Sequence, residues 1–183
     1  MRKLLWLGLG LVTTACGAAD ESVGDLVDEP IGERSDAIVN GEPDTTHQAV
    51  VSYHMGGKCT ATIIEVKGDK GWALTAAHCL KANNKGKLRQ GDSHEKNKWD
   101  VEYTVTKTHE HPEYGVSGAF DFAVLEFSGA TATTPVIKAM SPGLDKVNKG
   151  HKLDVVGYGQ SEKNDNKIRN HKLLTVEAVS ATR

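Results

Sequence analysis

From Ile38 onward, short β-branched and apolar runs alternate with polar turn clusters. Ala49–Tyr53, Thr60–Ile64 and Trp72–Thr75 are the first three runs. Val101–Thr106 alternates apolar with polar positions, and Phe122–Phe127 reads as a buried run broken only by Glu126. Leu153–Val156 and Leu173–Val179 close the series. Gly56-Gly57, Gly68-Asp69 and Asn83-Asn84 punctuate it as turns. Many short strands, with no long helical period and no internal repeat, predict an all-β barrel or sandwich. Residues 129–150, with Pro135, Pro142, Gly129, Gly143 and Gly150, read as a connection between two units.

The preceding residues have another texture. Met1-Arg2-Lys3 is a positive start, Leu4–Val12 is apolar, and Thr13-Thr14-Ala15 ends small before Cys16. That order predicts a secretion signal over residues 1–16, and its apolar part is too short to span a bilayer. Thr-Thr-Ala-Cys also resembles a bacterial lipoprotein cleavage site with Cys16 as the lipidated residue, although Thr13 stands where leucine is usual. Plain secretion is the other reading. The expected location is secreted or cell-envelope, with membrane attachment only through a lipid at Cys16. Residues 17–37 hold seven acidic residues against the single Arg34 and read as an acidic propeptide or linker.

Composition narrows the picture. Of 183 residues, 38% are hydrophobic and 25% charged, which permits one globular domain or two small ones and excludes wholesale disorder. The formal net charge of −2 removes the basic surplus expected of a nucleic-acid binder. Three cysteines are present, Cys16, Cys59 and Cys79. With Cys16 lipidated or removed, Cys59 and Cys79 remain as one pair. Its closed loop of about 20 residues is worth roughly 3 kcal/mol by chain entropy. Two free buried thiols are the rival reading.

The most informative segment is Gly71-Trp72-Ala73-Leu74-Thr75-Ala76-Ala77-His78-Cys79. It reads as a buried strand entering a tight turn of small residues, which can hold a histidine at a fixed place on a barrel rim. Thr75-Ala76-Ala77-His78-Cys79 resembles the catalytic-histidine motif of the trypsin/chymotrypsin family of serine peptidases. Ile38-Val39-Asn40-Gly41 resembles the mature N-terminus of that family. Cys59–Ile64 resembles the strand carrying the other half of the histidine-loop disulfide. His111-Pro112-Glu113-Tyr114 resembles a segment upstream of the catalytic aspartate, Asp121-Phe122-Ala123-Val124-Leu125 the aspartate motif, and Gly157-Tyr158-Gly159 the Gly-Trp-Gly that opens the second barrel.

The resemblance implies two antiparallel six-stranded β-barrels, the second truncated in this chain. Residues 38–130 would form the first barrel, and 131–183 the connection and the opening of the second. It also implies a serine endopeptidase acting on protein or peptide substrates without a cofactor. His78 and Asp121 lie 43 residues apart, against about 45 in a well-characterised member. A serine hydroxyl needs a histidine to take its proton. A buried aspartate holds the ring in one tautomer and stabilises the imidazolium.

The nucleophile is not in view. The same spacing puts it at roughly position 214, and no Gly-Asp-Ser-Gly-Gly occurs in the chain. The expectation is an N-terminal fragment, inactive alone, of a longer peptidase. The alternative is a non-catalytic homologue acting as a surface-anchored binding or regulatory protein. Gly91-Asp92-Ser93-His94-Glu95 is a decoy, expected in a surface loop. Activation is expected between Ala37 and Ile38, although Ala37 stands where the family usually has a basic residue. His109 and His111, two apart, could share a strand face as a metal pair, but no ligand pattern surrounds them and no metal is expected. Glu95 and Glu102 could flank a calcium loop, against which Lys96 and Lys98 argue. His47, His54, His94, His151 and His171 read as surface residues.

Overall fold

A computed structural model describes residues 38, 40–80, 85–115, 120–141, 147–159 and 167–179. Its strands are β1 (Glu42–Pro43), β2 (Val50–His54), β3 (Lys58–Lys67), β4 (Lys70–Thr75), β5 (Lys87–Gln90), β6 (Val101–Glu110), β7 (Ala123–Ser128), β8 (Lys152–Gly157) and β9 (Asn170–Thr175). Ala77–Cys79 forms a 3-10 turn after β4. The calls on residues 1–37, Cys16 and Ala37 included, lie outside the described residues.

Six strands close into an antiparallel barrel in the order β2-β3-β4-β7-β6-β5, with β5 returning to β2. Side-chain alternation decides what fills it. Ile63, Leu88, Leu125 and Phe127 point inward and are buried, as are Tyr53 and Tyr103. The two tyrosines keep their hydroxyls satisfied, Tyr53 donating to the Lys85 carbonyl at 3.0 Å and Tyr103 to Gln90 Oε1 at 2.6 Å. The rings of Tyr103 and Phe127 meet at 4.9 Å. Gly71 makes room for that pair, because a Cβ there would stand 2.2 Å from Phe127 Cζ.

A second sheet has the order β1-β9-β8. It meets the barrel where Gly157 approaches Thr60: a Cβ on Gly157 would lie 2.9 Å from Thr60 Oγ1. That same oxygen accepts the Tyr158 backbone N–H at 3.0 Å. Leu153, Val155, Leu173 and Leu174 on β8 and β9 are exposed. The all-β expectation therefore holds, with one closed six-stranded barrel and a partial second sheet.

Several elements differ from the sequence reading. β3 and β6 each run ten residues, longer than their apolar runs. Phe122–Phe127 is not uniformly buried: Ala123, Leu125 and Phe127 face the core, while Phe122 is exposed and precedes the strand. β9 starts at Asn170 and ends at Thr175, ahead of the expected Leu173–Val179. His94 is buried, 3% exposed, rather than on the surface. It packs edge-on to His54 and against Tyr158, with ring centroids 5.2 and 5.5 Å away.

Candidate active site

β4 carries the chain to one rim of the barrel. Thr75, its last residue, donates its hydroxyl to the Thr60 carbonyl at 2.8 Å. Ala76 stays extended, and the chain then coils tightly, with Cys79 N–H donating to Ala76 and Leu80 N–H to Ala77 at 3.2 and 2.9 Å. Ala77 and Cys79 turn inward and are buried, so His78 between them points out. A disulfide joins Cys79 to Cys59 on β3, with Cα atoms 6.3 Å apart. The turn is thus fixed at both ends and across.

The neighbouring strand brings Asp121. β4 pairs with β7 up to Thr75 opposite Ala123. Residues just after the one and just before the other therefore share a rim. Asp121 Oδ2 lies 2.7 Å from His78 Nδ1, and Oδ1 accepts the His78 backbone N–H at 2.9 Å. Both carboxylate oxygens thus hold the same residue. Burial disfavours the charged carboxylate, but the hydrogen bonds from the His78 ring and backbone and from the Ala77 backbone prevail. They hold Asp121 below the usual carboxylate range. The contact with Nδ1 orients the ring and leaves Nε2 facing outward, with no hydrogen-bond partner among the described residues.

The aspartate was expected to be buried, and it is not: its side chain is 40% exposed and that of His78 62%. The flanking Phe120 and Phe122 are exposed as well, and no described residue covers this face. Phe120 adopts φ +60°, a left-handed conformation unusual for an aromatic residue. Phe122 N–H donates to the Phe120 carbonyl at 2.7 Å, closing a tight turn around Asp121. His111 packs into the same turn. Its ring stacks on Phe120 and tilts on Phe122, each with centroids 4.6 Å away. Its backbone N–H donates to the Phe122 carbonyl at 3.2 Å.

A family model for trypsin matches residues 38–182. The chain belongs to the trypsin family. One solved structure, described as "Structure of GrC", is similar to this trypsin-family chain with a TM-score of 0.59 at 21% identity. The match covers 76% of this chain and 66% of that one, so the chain spans about two thirds of that protein's length. At this identity the likeness concerns the fold. A disulfide such as Cys59–Cys79 is typical of proteins that fold in an oxidising, extracellular compartment.

The other expected site residues separate. Ile38 is buried, and its carbonyl accepts the Gly41 N–H at 3.1 Å. Ser93 donates its hydroxyl to the Lys167 carbonyl at 3.0 Å and accepts the Glu95 N–H, which ties it to the segment before β9. His109 and His111 do not share a strand face, because β6 ends at Glu110. His109 Nε2 instead meets Glu126 Oε1 at 2.5 Å. Glu95 pairs with Lys98 at 2.7 Å and Glu102 with Arg89 at 2.9 Å, so neither carboxylate points at a shared centre. Cys59, His78 and Cys79 cluster within ligand distance, but the two sulfurs are joined and offer no thiolates. The sequence placed His111 in a segment upstream of the aspartate but did not reveal its packing on Phe120 and Phe122, nor the left-handed Phe120. The signal for that packing was a pair of aromatic residues bracketing an aspartate.

Proposed function

We propose that this chain carries the base half of a secreted serine-type endopeptidase that cleaves peptide bonds through an acyl-enzyme. The observation that carries the reading is the 2.7 Å contact of His78 Nδ1 with Asp121 Oδ2. With Nδ1–H given to the carboxylate, the outward Nε2 is the acceptor. In this reading His78 takes the proton of a serine hydroxyl as it attacks the scissile carbonyl and then returns it to the leaving amine. Asp121 fixes the tautomer and stabilises the imidazolium between the two steps. The reading requires a nucleophilic serine and oxyanion donors elsewhere in the full protein. Cleavage between Ala37 and Ile38 activates the enzyme, and residues 1–16 direct it out of the cell, with Cys16 as the lipid attachment point if the leader is of lipoprotein type.

The test is to read the coding DNA past the codon for Arg183 and to assay the full product. An in-frame Gly-Asp-Ser-Gly-Gly about 30 residues on, with peptide hydrolysis abolished by His78→Ala, is the expected result. A stop codon or a replaced serine overturns it in favour of the non-catalytic homologue.

A further inference from the structure

The barrel's outer face carries a basic pocket away from the His78–Asp121 pair. Strand register builds it. His54 on β2 lies opposite both Lys58 on β3 and Lys87 on β5, and Arg89 follows two residues along, opposite Ser52. Residues directly opposite in antiparallel strands share a face, so Lys58, His54 and Lys87 form one row, with Arg89 in the next. The β2–β3 turn and Gly86 border this row, which lines an open surface depression of about 530 Å³.

The cations in it are held ready. Arg89 stacks on Trp99 at 3.9 Å, its Nε donates to Glu102 at 2.9 Å and its Nη1 to His54 Nδ1 at 3.4 Å. A guanidinium has five N–H groups, and the rest of this fork has no partner among the described residues. Lys87 Nζ donates to Thr104 Oγ1 at 2.8 Å and lies 3.9 Å from Glu102 Oε1, so that one carboxylate is shared by Lys87 and Arg89. Lys58 has no carboxylate partner among the described residues. Glu102 is the acid that faces the cluster, leaving it net positive. His54 sits in the middle of the row and stays uncharged, with its pKa lowered to about 4 by burial and then by Arg89, His94 and Lys58.

We propose that this pocket is an anion-binding site that takes a carboxylate-rich stretch of a polypeptide, clamped by the Lys58 and Lys87 ammonium groups and the spare N–H groups of Arg89. That the polypeptide is a substrate rests on the peptidase reading; the anion site does not. Its place supports the pairing. Lys58 directly precedes Cys59, whose disulfide to Cys79 adjoins His78. A chain anchored at Lys58 therefore lies beside the catalytic turn. The site would select substrates with acidic residues set apart from the cleaved bond.

The experiment uses the full chain, immobilised through its N-terminal residues, and a fluorescent deca-glutamate peptide. Saturable binding is expected, weakening as salt rises, with affinity cut about tenfold or more in Lys58→Gln/Lys87→Gln. Lys138→Gln, remote from the pocket, should leave it unchanged. Equal binding by the double variant, or none by the parent chain, overturns the proposal. Tighter binding of a sulfated polysaccharide or an oligonucleotide of equal charge overturns the polypeptide assignment. Because binding is read without cleavage, loss of hydrolysis with binding intact counts against the peptidase reading alone.

Discussion

Arg169 Nε lies 2.5 Å from Asp44 Oδ2, with the arginine side chain wholly buried and the aspartate nearly so. The two are 125 residues apart and join the turn after β1 to the start of β9. The rest of the guanidinium donates to the Gly91 carbonyl at 2.9 Å, to the Asp44 carbonyl at 3.2 Å and to Asp92 Oδ1 at 3.1 Å. Tyr158 donates its hydroxyl to that same Gly91 carbonyl. A buried charge without partners is costly, so removing one member leaves the other stranded.

Arg169→Ala should therefore destabilise the fold by about 3–5 kcal/mol. Urea unfolding measures it. Asp44→Ala should cost a similar amount, and the double variant less than the sum, because the two losses share one interaction. Additive costs would show that the pair is not coupled.

The same pair predicts how the fold responds to acid. Burial works against an ionised Asp44, but the hydrogen bonds from Arg169, His47 and Thr46 outweigh it and hold the carboxyl far below its ordinary range. A depressed folded-state pKa gives stability that is fully present above the unfolded value, about 4, and is lost as pH falls towards the folded value. Unfolding free energy should fall by up to about 1.4 kcal/mol per pH unit below about pH 4 on account of this residue. Asp44→Asn should be less stable at neutral pH and flatter in acid. Urea titrations at several acidic pH values separate the two effects.

Asp121→Asn should leave the fold intact and remove the charge that fixes the ring of His78. In the product that carries the serine, kcat should fall about 10⁴-fold. In the chain itself, the strongly deshielded ring proton expected between His78 and Asp121 should vanish from the proton NMR spectrum. Its persistence in the variant would assign that proton elsewhere.

His111 packs on Phe120 and Phe122, the two residues that flank Asp121. His111→Ala removes the ring that stacks on Phe120 and Phe122 and should lower kcat about 10- to 100-fold, since small misplacement of a catalytic group is costly. KM should hold. His111→Phe keeps the stack and should recover most of the loss, which a defect in folding alone would not explain.

The histidine turn and the aspartate were legible through a family resemblance that rests on short contiguous motifs, Thr75–Cys79 and Asp121–Leu125. The strands with a strong inward pattern were legible as well. β5 was not, since Leu88 is the one apolar residue of Lys87–Gln90 and inter-strand pairing, not burial, defines it. β1 is two residues long and contains a proline, and only its pairing to β9 makes it a strand. Arg169 was not legible, because nothing local reveals that its partners lie at Asp44 and Asp92. His94 read as exposed for the same reason. Long-range pairing of polar groups leaves no period in a sequence, whereas burial of apolar ones does.

The disulfide sits one residue from His78, and that adjacency makes the site conditional on place. In a compartment where thiols stay reduced, the turn Ala77–Cys79 keeps its core packing, its own short hydrogen bonds and its contact with Asp121, but has no covalent tie. The same chain in an oxidising compartment acquires a covalent brace to β3 at the residue next to the base. Geometry good enough for proton transfer would then arrive after departure from the site of synthesis, so that the chain's surroundings act as a safety interlock on its chemistry.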